Sequence, residues 1–121
     1  MTLGNPVVHF EINSKGGKKL QQFYAELFGW KIQSMDGMSY GIVDTDSGGH
    51  GINGGIGQTD GPNQVTFYVE VPDPQATLDR IEGKGGKTLV PVTEIPGVVT
   101  FAQFADPDGN VVGLVKSEEG Q

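Results

Sequence analysis

The sequence predicts an α+β fold in which one strand, one amphipathic helix and about three further strands are laid down twice. Three observations carry this. Residues Val7 to Ile12 alternate, with Val8, Phe10 and Ile12 on one side and His9 and Glu11 on the other, and Val65 to Val71 repeat the alternation with Thr66, Tyr68 and Glu70 on the polar side. A helical pattern follows each of these strands, and a series of short apolar runs broken by glycine and proline follows each helix.

In the first half, Leu20, Phe23, Tyr24, Leu27 and Phe28 recur at spacings of three and four, which predicts a helix whose apolar stripe packs on the strands. Gly29 stands where that helix should stop. Trp30 to Gln33, Ser39 to Val43 and the glycine-rich passage from Gly48 to Gly57 read as strands or strand edges. In the second half, Asp73 is an N-cap with Pro74 in the first helical position, and Ala76, Leu78 and Ile81 form a shorter stripe that ends near Gly83. Lys87 to Val90, Val98 to Ala105 and Val111 to Val115 complete the strands, the last two joined by the turn sequence DPDGN. The polar stretch from Gln58 to Asn63 joins the halves, giving a single domain with modules at 5–57 and 64–116. Helices on one face of each half leave the other faces to curve toward each other around a cleft.

Composition narrows the function. Eight Lys and Arg against fifteen Asp and Glu give a formal charge of −7, which repels nucleic acid and anionic membrane surfaces, so neither is expected as a partner. With no cysteine, disulfides, thiolate metal sites and cysteine nucleophiles are excluded. No apolar run is long enough for a span and no export signal is visible, so a cytoplasmic protein is the expectation.

The polar sides of the two opening strands are the candidate site. A solvated sheet face explains His9, Glu11, Tyr68 and Glu70 one at a time; their repetition fits a cupped interior with polar groups over a small-molecule ligand. On that reading Glu11 and Glu70 converge as acid and base, and Tyr40, Phe101, Gln103 and Trp30 line the same cavity, with core packing the alternative for the aromatic residues. The run GINGGIG lacks the lysine and following helix of a phosphate cradle and reads as a bent strand, and His50 reads as a solvated loop residue.

The repeated unit, with VVHFEI, FYAELFGWKI, INGGIG, GGKTLVPVTEIPGV and DPDGNVVGLV in order, resembles the vicinal oxygen chelate superfamily of glyoxalases, bleomycin-resistance proteins and extradiol dioxygenases. More narrowly, it is similar to predicted enzymes related to lactoylglutathione lyase. The resemblance spans about Asn5 to Lys116 and implies two βαβββ modules forming a curved mixed sheet around a cleft, usually within a homodimer. It also implies a divalent metal held by His or Glu from the first and last strands of each module. His9 matches the first such position; the others fall at Thr66 or Val65, within INGGI, where Asn53 is the one possible donor, and at Gly113. No cofactor is therefore expected, and a divalent site built from His9, Glu11 and Glu70 is the alternative.

Three readings follow, two of them functions of the cleft. One is metal-independent binding of a hydrophobic or aromatic molecule, with His9, Trp30, Tyr40, Asn53, Tyr68, Phe101 and Gln103 as contacts. The other is a metal-dependent lyase or isomerase using Glu11 and Glu70. A third, less favoured, assigns the polar faces to a dimer interface.

Overall fold

The computed structural model describes residues 4–35, 39–46 and 49–117, so the predicted start of the glycine-rich passage at Gly48 lies outside the described residues. Among the described residues are eight strands and two helices in the expected order, one strand, one helix and three strands, twice over. The chain divides into two compact units, one from Val8 to Thr66 and one from Phe67 onward that includes the N-terminal stretch ending at Val7.

The first unit contains β1 (Val7–Ser14), α1 (Gly17–Phe28), β2 (Lys31–Ser34), β3 (Tyr40–Asp44) and β4 (Gly54–Gln58). Its strand order is β2-β3-β4-β1, with β1 parallel to β4 and the other pairs antiparallel. Val43 and Ile56 are fully buried. Because α1 has no side-chain N-cap, Gln58 takes that part: its Oε1 accepts from the Gly17 backbone N–H at 3.0 Å. Gly29 closes the helix with φ 73°, a left-handed conformation that favours glycine, as the sequence predicts.

One expectation is overturned here. The apolar stripe of α1 does not bury as a whole, since Phe23, Leu27 and Phe28 are each more than half exposed. The reason lies at the start of the helix. Gly17 sits so close to β4 that a Cβ would lie 2.6 Å from the Gly57 carbonyl oxygen, and Gln21 Nε2 donates to the Ile56 carbonyl at 2.9 Å. The helix therefore faces the sheet with Gly17 and Gln21, and Phe23 and Leu27 roll outward.

The second unit contains β5 (Gln64–Val71), α2 (Pro74–Gly83), β6 (Lys87–Ile95), β7 (Val99–Ala105) and β8 (Val111–Lys116), with β5 beginning just before the boundary. The order is β5-β8-β7-β6, with β5 parallel to β8 and the other pairs antiparallel. Asp73 caps α2 as predicted, its Oδ1 accepting from the Ala76 N–H at 3.2 Å. Val71, Leu78, Ala102 and Leu114 form the core, with Val69, Ile81 and Phe104 against it. Val65 and Phe67, expected on the same packed face, are exposed. Strand β6 runs five residues past its predicted end at Val90, passing Pro91 through two register shifts, because a strand paired on one side tolerates a residue without an N–H at an irregularity.

Candidate functional site

Alternation along β1 puts His9, Glu11 and Asn13 on one face, and the β3–β4 register puts Tyr40 opposite Gly57 on that same face. The intervening strand is almost bare there. A Cβ on Gly55 would overlap the Tyr40 hydroxyl, and one on Gly57 would sit 2.9 Å from its Cδ1 and 2.7 Å from Asn13 Oδ1. The tyrosine thus lies across β4 and reaches β1. On the helix side of β4, Gly54 meets the Phe10 ring in the same manner, at 2.6 Å from a Cβ. Of the run GINGGIG, Gly54 to Gly57 lie in β4, and Gly54, Gly55 and Gly57 are the floor beneath two aromatic rings.

The reach produces a chain of hydrogen bonds. Tyr40 donates to Glu11 Oε2 at 3.1 Å, His9 Nε2 lies 3.0 Å from the same hydroxyl, and Asn13 Nδ2 donates to Glu11 Oε1 at 3.0 Å. A phenol has one proton to give, so with that proton on the Glu11 side both bonds hold when His9 carries its proton on Nε2. Burial pushes the His9 pKa down, and the Glu11 carboxylate only partly offsets this, which favours the neutral ring.

The second unit holds a counterpart with the roles exchanged. Tyr68, only 6% exposed, starts on β5 and crosses Gly113 of β8, where a Cβ would overlap its ring, and its hydroxyl accepts from Gln103 Nε2 on β7 at 2.8 Å. Gly55 pairs with Glu11 as Gly113 pairs with Tyr68, so the two glycines are equivalent in the repeat. Phe101 is half-buried on the same face of β7 as Gln103, and Glu70 is half-buried on the same face of β5 as Tyr68. Thr66, at the place equivalent to His9, is buried.

Two of the predicted contacts lie elsewhere. The Trp30 ring stacks on Tyr24 at 5.3 Å and packs on Phe10 and Phe28, on the helix side of the sheet. Asn53 uses its Oδ1 to accept from the Thr45 N–H at 3.2 Å, which closes the turn between β3 and β4. Sequence reasoning did not include Asn13, although its parity with His9 and Glu11 was visible.

The residues present do not fit the metal site that the resemblance implies. Both fourth-strand glycines lie under tyrosine rings, so neither position has room for a ligating side chain, and the nitrogen His9 turns toward Tyr40 is held by that hydroxyl. Among the described residues no group of three His, Asp or Glu is placed to hold a metal ion. Among those residues, too, no helix is long and apolar enough to cross a membrane.

Comparison with known proteins agrees with the architecture. A glyoxylase-like domain-containing protein of Didymella fabae is 27% identical over 118 residues, covering 91% of this chain and 92% of its own length. Methylmalonyl-CoA epimerase of Mycobacterium tuberculosis superposes with a TM-score of 0.65 at 12% identity, over 96% of this chain and 90% of that one. The Mn(II)-bound glyoxalase of Novosphingobium aromaticivorans gives 0.67 at 16% identity over 96% of this chain, which spans only 40% of that longer protein. The model of the Glyoxalase/Bleomycin resistance protein/Dioxygenase superfamily matches residues 7–114, nearly the whole repeat, and the chain belongs to that superfamily.

Proposed function

We propose that this chain binds a small hydrophobic or aromatic molecule against the polar faces of its modules, and does so without the metal associated with its superfamily. The observation that carries this reading is the pair of tyrosines lying over Gly55 and Gly113, which fill the equivalent positions with aromatic surface and a hydroxyl. A few directed polar groups among aromatic walls is what a small-molecule site requires. His9, Tyr40 and Glu11 supply them in the first module, and Tyr68, Gln103 and Phe101 in the second; Glu70 adds a carboxylate. The partners on this reading are one small molecule and a second copy of the chain, in the cytoplasm.

A thermal-shift screen of hydrophobic and aromatic compounds tests it. A compound at one hundred times its dissociation constant stabilises the fold by about 2.7 kcal/mol, and Tyr40→Phe lowers the affinity of any hit about tenfold. A broad screen without hits speaks against the reading.

The hydrogen-bond chain from His9 to Glu11 favours one second reading, a lyase or isomerase of the glyoxalase type. Glu11 is then the group that orients Tyr40, and Glu70 is the acid or base. Exchange of deuterium into carbon next to a carbonyl, measured with and without added nickel, zinc or manganese, separates this from simple binding.

A further inference from the structure

The face of α1 that rolls away from the sheet has an arrangement of its own. Phe23 and Leu27, 54% and 59% exposed, stand one turn apart, and the Phe23 ring is fixed edge-on against Tyr24 at 5.1 Å. Along the same flank of this apolar strip run Lys19 and Glu26, seven residues and so about two turns apart, with Phe23 between them. Gln22 donates to Glu26 at 3.0 Å and holds the carboxylate along the helix. Lys19 and Glu26 are equidistant from the midpoint of α1, which falls between Gln22 and Phe23.

A two-fold axis through that midpoint, perpendicular to the helix, turns α1 antiparallel onto a second α1. It keeps equivalent flanks on the same side, so Lys19 of each copy comes opposite Glu26 of the other, and Phe23 meets its equivalent at the centre. Such a surface is complementary to itself, as the interface of a symmetric dimer must be. We infer that the outward face of α1 is a self-association surface, joining two copies of this chain through Phe23 and Leu27 with reciprocal Lys19–Glu26 ion pairs at its flank. The inference rests on the homodimer named above and assigns it a face. It gives the large apolar side chains left exposed on α1 a surface that covers them.

Charge exchange tests it by sedimentation or light scattering over a concentration series at low and moderate salt, with circular dichroism as the folding control. Lys19→Glu and Glu26→Lys, both at exposed positions, each set like charges opposite one another twice and weaken the dimer about tenfold. The double variant K19E/E26K restores the pairs in reverse and returns the dissociation constant to within about twofold of the parent. Phe23→Asp abolishes association at the same concentrations. A dimer unmoved by these changes, or one that the double exchange fails to rescue, overturns the assigned face while the homodimer stands; a monomer at every concentration removes both.

Discussion

Tyr40 passes over the bare backbone of β4 and brings its hydroxyl 3.0 Å from His9 Nε2, two strands away. The second module makes the complementary crossing, Tyr68 over Gly113 to Gln103, from the first strand toward the third instead of from the third toward the first. A tyrosine can do this because its rigid ring spans the width of a strand and carries its polar atom at the far end. The strand beneath must then be glycine. The fold thus ties its first and third strands together over the fourth in each half.

Removing the hydroxyl alone isolates the tie. Tyr40→Phe keeps the ring over Gly55 but takes the donor from Glu11 and the acceptor from His9, and the cost is about 1–2 kcal/mol in urea unfolding, since one lost partner is charged. Nitrogen NMR of His9 gives an independent readout. The parent shows the proton on Nε2, and the variant shows a mixture of tautomers.

Gly55→Ala should cost about 1–3 kcal/mol, because its methyl group competes with the Tyr40 hydroxyl for one space. In a Tyr40→Ala background the space is vacant, and the same substitution becomes neutral or slightly stabilising, as alanine ordinarily is over glycine in a strand. A double-mutant cycle of the four proteins therefore gives a coupling above about 1 kcal/mol. Strict additivity would mean that ring and glycine do not share this space.

Much of this was legible in the sequence and some was not, for a physical reason. Alternation in β1 and β5 is local information, so the polar faces, the strands and the Asp73 cap follow from neighbouring residues. The partner of Glu11 is not local: its carboxylate accepts from Tyr40, whose reach to β1 depends on the register of two strand pairs. The α1 stripe misled because its period reports which residues share a face, while the close approach at Gly17 decides which face turns inward. The glycines of GINGGIG announced a special backbone without naming the rings above it.

His9 makes the stability depend on pH in a direction that can be worked out. Its folded pKa lies below the ordinary 6.5 because burial disfavours the charged ring, so the unfolded chain binds more protons as the pH falls. The contribution of His9 is fully present above about pH 6.5, is lost as the pH drops through the folded value, and is constant below it. Urea midpoints between pH 8 and pH 5 should fall for the parent and fall less for His9→Gln. Equal slopes would show that the ring gains its proton at no cost to the fold.

The last test puts back the glutamate that the superfamily resemblance implies. Gly113→Glu must drive its side chain into the buried Tyr68 ring, so the variant loses about 2–4 kcal/mol, more than overpacking alone because a carboxylate enters a site with no partner prepared for it. Pairing it with Tyr68→Ala opens the space and recovers part of the loss, and the recovered part is the share due to the clash with the ring. Titration with nickel, zinc or manganese separates the two accounts of the site: if the tyrosines replace metal ligands, the parent takes up no stoichiometric ion, whereas uptake that also shifts the His9 ring signals would place a metal where the structure puts phenol. The paired variant makes the comparison sharper, since any affinity it gains must come from a position that Tyr68 covers in the parent.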